Sequence, residues 1–169
     1  FYLHQVYEQQ QEFLVRLNAF DLQYPISSTK QVKIFLLGAK QDEALCEWIL
    51  AGSAHGNVVS LAGRLSLVQS AALMKDAVMN YSCDSSPLHM ASAMNAPIAA
   101  IFLSTTTANG FGPLSDIRHI VETREKLDCR PCTTHGRSAC PRGDLACATT
   151  IPAQQLLEPL IPIITSTEK

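Results

Sequence analysis

The sequence predicts an α/β fold: a three-layer domain with helices on both faces of a mainly parallel sheet. Alternation is the first sign of it. Short β-rich apolar runs and stretches with helical spacing follow one another along the chain, as strand–helix–strand crossovers require. The second sign is that a run such as Val32–Leu37 is apolar at nearly every position, the mark of a strand buried on both faces. The third is size, since 169 residues suit one domain at about 150 residues per domain. Sheets of this class take ligands beyond the carboxyl ends of their strands. Chemistry is therefore expected in the turns that follow strands: Gly38 to Glu43, Ala62 to Leu65, Cys83 to His89 and Ser104 to Gly112.

Each element has its own signal. Residues 1–20 carry Leu3, Val6, Phe13, Leu14, Leu17 and Phe20 at helical spacing around the polar run Glu8 to Glu12. Val32 to Leu37 is a strand ended by Gly38. Gln41 to Ala51 returns to helical spacing through Leu45, Trp48 and Ile49 and stops at Gly52. Asn57 to Leu61 is a second strand, followed by Ala62-Gly63. Ser66 opens a helix through Leu67, Ala71, Leu73 and Met74, with Gln69 in the capping-box position. Ala77 to Tyr81 reads as a third strand. Asp84-Ser85-Ser86-Pro87 starts a helix running to about Met94, Pro87 being suited to a first turn. Pro97 to Leu103 is a fourth strand and Arg118 to Glu122 a fifth. Gln154 to Leu160 is a final helix, closed by Pro162. The first four strands are expected to share one parallel sheet.

Composition narrows the classes further. Hydrophobic residues make up 47% and charged residues 17%, so burial can offset the ordering entropy and disorder is excluded. The formal charge of −2 gives no global attraction for nucleic acid or anionic lipid. The longest apolar stretch, Ala96 to Leu103, falls far short of the roughly 18 residues that span a bilayer. No basic segment precedes an apolar core at the start, so no secretory signal is expected. The chain begins with Phe1 rather than Met, which suits a processed chain or a fragment of a longer one.

The sharpest local feature is strand–Asp84-Ser85-Ser86-Pro87-Leu88-His89–helix. A helix start presents unpaired N–H groups and a positive dipole end, a ready site for phosphate. Ser85 and Ser86 could add hydroxyl donors, Asp84 could accept from sugar hydroxyls, and His89 lies about one turn in. The plainer alternative is that Asp84 or Ser85 only caps the helix and His89 is a satisfied core histidine. There is no G-x-G-x-x-G, no G-x4-G-K-[ST] and no G-x-S-x-G.

Six cysteines are placed unevenly. Cys46 and Cys83 sit in apolar patterns as small hydrophobes. Cys129, Cys132, Cys140 and Cys147 form C-x2-C-x7-C-x6-C. Without secretory features such a cluster favours metal over disulfides. Four thiolates suit tetrahedral zinc, and soft ligands also suit iron. Only the first pair has knuckle spacing, and His135 could replace one cysteine. With no identifiable partner for a catalytic open position, a structural staple is the expected role. The alternative is four reduced cysteines without metal.

The ordered set of motifs goes further than any one of them. LLGAKQDEALCEWI, then VVSLAGRLSLVQSAALMKDAVMNYSCDSSPLHMASAMNAPIAAIF, then LDCRPC…CPRGDLAC resembles the heptosyltransferase family of glycosyltransferase family 9, over roughly Val32 to Pro159. The family pattern D-[ST]-G-x-x-H-[LM]-A-[AS]-A is matched at Asp84, Ser85, His89, Met90, Ala91, Ser92 and Ala93. Leu127, Cys129, Pro131, Cys132, Cys140, Pro141 and Cys147 match the family's cysteine-rich pattern. These enzymes are inverting, nucleotide-sugar-dependent glycosyltransferases of lipopolysaccharide assembly, with two Rossmann-like domains facing across a cleft in the GT-B arrangement. The resemblance implies that residues 1–169 are the C-terminal, donor-binding domain, with residues 129–147 as an appended loop. The acceptor site, the catalytic base and the Thr/Lys phosphate segment would then lie in a preceding part of the protein.

The resemblance also assigns residues. Asp84 would contact the donor sugar or its phosphate surroundings, Ser85 and Ser86 would present N–H groups to the diphosphate, and His89 would support that loop or touch phosphate. Leu65 would line the adenine, and Asp42 or Glu43 would sit near the ribose. Implied partners are an ADP-heptose-like donor and a glycolipid acceptor, with peripheral membrane association. The implied location is the cytoplasm, at the inner face of the inner membrane. No cofactor is implied for transfer, leaving structural zinc or iron at the cysteines. Two departures favour a divergent, non-catalytic scaffold or protein-binding module instead. Ser86 stands where the family has Gly, and Leu103-Ser104-Thr105-Thr106 stands where it has G-P-[ST].

Overall fold

The computed structural model describes residues 33–53 and 56–165. The helix expected over residues 1–20, and Val32 of the first strand, lie outside them. The described residues divide into two compact units, one holding residues 33–53, 56–70 and 162–165 and the other residues 71–161.

In the first unit, β1 (Ile34–Leu36) pairs in parallel with β2 (Val58–Ser60), in the register Ile34–Val58, Phe35–Val59 and Leu36–Ser60. Between them a 3-10 turn, Lys40–Asp42, leads into α1 (Glu43–Gly52), whose buried residue is Cys46. Burial pushes the Cys46 thiol up, with Asp42 and Glu47 adding to the effect. The two strand-end loops touch. Gly63 N–H donates to the Gly38 carbonyl at 3.0 Å, and Gly63 has φ +67°, a conformation glycine adopts without strain.

Helix α2 (Leu67–Lys75) opens with the expected capping box. Gln69 N–H donates to Ser66 Oγ at 3.3 Å, and Ser66 N–H donates to Gln69 Oε1 at 2.9 Å.

The second unit holds a three-stranded parallel sheet in the order β3 (Asn80–Cys83), β4 (Ile98–Phe102), β5 (Arg118–Glu122). The central strand is the most deeply buried, with Ile98, Ala99, Ala100 and Phe102 closed to solvent. Helix α3 (Ser86–Ala93) packs onto β3 and β4. Leu88 and Ala91 from α3 and Met74 from α2 join Ala96, Ile98, Ala100 and Phe102 in one apolar core. At about 25 cal/mol per Å² of apolar area, that burial is the main source of stability here. Asn95 follows α3 at φ 50°, a left-handed position that Asn tolerates. Its amide clasps Asp116, accepting from the Asp116 N–H at 2.9 Å and donating to Oδ2 at 2.8 Å.

Beyond β5 the chain is irregular up to α4 (Ala146–Thr149), followed by α5 (Ala153–Leu157) and α6 (Ile161–Thr165). The α5 segment is tied to the sheet by hydrogen bonds. Tyr81 Oη donates to the Leu156 carbonyl at 2.8 Å, and Gln155 Nε2 donates to the Glu122 carbonyl at 2.8 Å.

The parallel class and the fifth strand's bounds agree with the sequence. Three details differ. The strands form two hydrogen-bonded sets rather than one. The third strand runs Asn80–Cys83, not Ala77–Tyr81, because Ala77 N–H turns back to the Met74 carbonyl to close α2. The final helix is split, and Pro162 sits in the first turn of α6 rather than ending a helix, a position proline tolerates.

Candidate functional site

The turn from β3 into α3 is built by its hydroxyls. Ser82 Oγ and Ser85 Oγ both donate to the Cys83 carbonyl, at 2.9 and 3.2 Å. Ser85 is the N-cap of α3 with extended backbone, yet no side chain caps the helix. In that first turn Pro87 has no N–H and the Leu88 N–H donates to the Ser85 carbonyl at 3.0 Å, so the helix start offers the Ser86 N–H together with the positive end of its dipole. The expectation that Asp84 or Ser85 merely caps this helix is not met. Ser86 is the first residue of α3 and has no positive φ, so the conformational freedom of a glycine is not required there. Pro87 follows in the first turn.

Asp84 is half-buried and engaged from one side. Thr105 Oγ1 donates to Asp84 Oδ2 at 2.7 Å, while Oδ1 accepts no hydrogen bond among the described residues. Cys83 behind it is a half-buried thiol pushed up by burial and by the Asp84 charge. His89 is exposed, its ring edge-on to Phe111 with centroids 6.4 Å apart. It is not a core histidine.

Thr105, which the sequence marked only as part of the departure Leu103-Ser104-Thr105-Thr106 and of the turn after the fourth strand, was given no role there. It and Ser104 are buried just past the end of β4, where the ladder to β5 stops at the Phe102–Glu122 pair. Their carbonyls have no further strand to bond. Arg130 takes that place: its guanidinium donates to the carbonyls of Leu103 at 2.6 Å, Thr105 at 3.0 Å and Phe102 at 3.3 Å, and pairs with Glu122. Cys132 N–H adds a bond to the Ser104 carbonyl at 2.9 Å. Four consecutive carbonyls are thus held from one short segment.

The other expected donor residues belong to the first unit. Asp42 Oδ2 accepts from the Ala39 N–H at 2.8 Å and so closes the turn after β1. A Cβ on Gly38 would lie 2.8 Å from Asp42 Cβ, so this approach needs a glycine. Glu43 is exposed, with Oε1 against Gly63 Cα, and Leu65 is half-buried. Asp42 is thus occupied structurally, and Glu43 is the freer carboxylate of the two.

All four clustered cysteines are reduced. They are electrostatic neighbours: Cys147 is raised by burial first, then by Cys132, Cys140 and Cys129, and Cys132 by burial, then by Cys129 and Cys140. Among the described residues, however, no group of three His, Cys, Asp or Glu side chains is placed to hold a metal ion. The expected gathering of four sulfurs into a ligand set is not seen, and His135 supplies none. The segment is held by other means. Arg142 donates to Asp144 Oδ2 at 3.0 and 2.7 Å, Asp144 Oδ1 accepts from Ala146 N–H at 3.2 Å, and Arg130 and Cys132 anchor the segment's start.

Comparison with known proteins bears on the whole. A family model described as glycosyltransferase family 9 (heptosyltransferase) matches residues 24–140. No curated protein matches the chain. The structure is similar to that of an E. coli ADP-heptose lipopolysaccharide heptosyltransferase II, at TM-score 0.65 and 20% identity, over 94% of this chain and 41% of that one. It is also similar to a family 9 glycosyl transferase from Veillonella parvula DSM 2008, at TM-score 0.65 and 16% identity, over 95% of this chain and 42% of that one. The chain thus spans about two-fifths of the length of these solved structures, whose likeness gives the GT-B-type α/β fold. With the family model covering most of the sequence, the chain belongs to glycosyltransferase family 9, the heptosyltransferases.

Proposed function

We propose that this chain is the donor-binding domain of an inverting glycosyltransferase that moves a heptose-like sugar from an ADP-linked donor to a lipopolysaccharide-type acceptor. One observation carries the reading: a half-buried carboxylate, Asp84, is fixed by Thr105 at the mouth of an uncapped helix, with Oδ1 left to accept. The start of α3 offers the Ser86 N–H and the positive end of the helix dipole to a diphosphate, which fixed dipoles can neutralise without a cation. Ser85 and Ser86 border that position, Asp84 Oδ1 accepts from the sugar, and His89 flanks it on the Phe111 side. Transfer needs no cofactor, and zinc or iron at Cys129, Cys132, Cys140 and Cys147 has at most a structural part. The acceptor and the catalytic base are supplied from outside the residues assigned here.

The reading places the enzyme in the cytoplasm, at the inner face of the inner membrane, where a glycolipid acceptor is reached. The association proposed is peripheral; among the described residues no helix is long and apolar enough to cross a membrane. Calorimetric titration of the chain with ADP, UDP and ADP-heptose tests the proposal. ADP and ADP-heptose should bind, ADP-heptose more tightly, and Asp84→Asn should remove the advantage of the sugar. Absence of binding by all three would favour the scaffold reading.

A further inference from the structure

We infer that Thr105 and Arg130 are positioning residues for the donor sugar, acting through Asp84. This rests on the donor-site reading above and deepens it. An Asp carboxylate turns about a soft terminal torsion, so its acceptor direction must be set by something else. Thr105 Oγ1 sets it, donating to Oδ2 at 2.7 Å and leaving Oδ1 free among the described residues. That hydroxyl is aimed only if its backbone is fixed, and the backbone lies past the last rung of the β4–β5 ladder. Arg130 supplies the missing rungs, donating to the Phe102, Leu103 and Thr105 carbonyls, while Cys132 N–H holds that of Ser104. The side chain of Arg130 is only 11% exposed and its charge is met by Glu122. It therefore stands as a scaffold for the loop rather than as a cation offered to the diphosphate. The start of the cysteine-rich segment is by this route coupled to the sugar side of the site, two hydrogen bonds away from Asp84.

The consequence is selective. Loss of the Thr105 hydroxyl frees the Asp84 carboxylate without touching the α3 amides, so it weakens the sugar contact and spares the diphosphate. Calorimetry with ADP-heptose and ADP on the same variants reads the difference. Thr105→Val should weaken ADP-heptose binding about tenfold, the scale of one hydrogen bond to a charged group, with ADP within twofold of the parent. Thr105→Ser, which restores the hydroxyl, should restore ADP-heptose binding. Thr105→Val combined with Asp84→Asn should be no weaker than Asp84→Asn alone. Arg130→Met should follow Thr105→Val in direction if it folds, and the Thr105 pair decides the matter if it does not. If Asp84→Asn weakens ADP-heptose binding but Thr105→Val does not, the positioning role is overturned and the donor reading stands. Equal losses for ADP and ADP-heptose in Thr105→Val overturn it as well, since they mark general damage. If the parent binds neither compound, the donor reading fails and this inference with it.

Discussion

Replacing Arg130 by methionine keeps the side chain's length and removes its donors, leaving the carbonyls of Phe102, Leu103 and Thr105 and the carboxylate of Glu122 without their partner. Breaking a buried ion pair from one side costs about 3–5 kcal/mol. Glu122 is 39% exposed against 11% for Arg130, so water recovers part of the loss at the carboxylate, and each carbonyl adds its own desolvation penalty. About 3 kcal/mol is the expected total. For a chain of this length 1 kcal/mol moves Tm by about 2–4 °C, which gives a fall of about 6–12 °C. Arg124→Met is the internal control. Arg124 also contacts a glutamate, Glu158 at 3.1 Å, but the two side chains are 67% and 48% exposed, and such pairs contribute under about 1 kcal/mol. Thermal melts and urea titrations of both variants at one ionic strength make the comparison. Melting temperatures for the two variants within about 2 °C of each other would refute the claim that Arg130 stands in for a missing strand.

Three further outcomes follow from the geometry. Gly63→Ala should cost about 1–3 kcal/mol, because φ is +67° and the new methyl would meet Glu43 and the Lys40 backbone at 3.1 Å, whereas Gly110→Ala, at φ +86° with open space, should cost only the conformational part; urea unfolding separates them. Thiol alkylation should begin at lower pH for Cys140 than for Cys147. Slight burial opposes ionisation of Cys140, but amides of Leu145, Arg142 and Gly143 pull its thiol down, while burial and the neighbouring sulfurs push Cys147 up. The thiolate is the reactive form, so mass-resolved iodoacetamide rates against pH check the order. Chelator treatment of protein purified without a His-tag should leave Tm within about 2 °C, since hydrogen bonds from Arg130, Cys132 and Asp144 already hold the cysteine segment; a large fall, with stoichiometric zinc or iron released, would establish the metal staple.

What was legible in the sequence was what neighbours decide. Ser66 and Gln69 close their capping box across three positions, and Ser86-Pro87 opens α3 for reasons of backbone alone. The third strand was misplaced because Ala77, Val78 and Met79 are the more apolar run. Asn80 starts the strand instead, its amide donating to the carbonyls of Met74 and Pro97 at 2.9 Å each, a tertiary preference that hydropathy does not carry. Helix α4 is four residues long, too short for any periodicity to show. At the site, Asp84, Ser85 and His89 stood out as a strand-to-helix turn. The roles of Thr105 and Arg130 did not. They depend on contacts 21 and 27 positions distant in sequence.

The two departures from the family pattern have different physical consequences from those the sequence suggested. A serine at position 86 would restrict the turn only if the backbone there entered the left-handed region, and it does not. The loop in place of G-P-[ST] brings Thr105, whose hydroxyl fixes Asp84. Stability alone favours capping the first turn of α3, a contribution of about 1 kcal/mol when Ser or Asp does it. Here Ser85 turns its hydroxyl back to the Cys83 carbonyl, and Asp84 is held by Thr105 rather than by the helix amides. Two residues of the best capping types stand before a helix that neither side chain caps, and they leave Asp84 Oδ1 and the Ser86 N–H without a partner among the described residues. That combination forgoes a cap and suits the ligand proposed above, since a sugar diphosphate has both acceptors and hydroxyls.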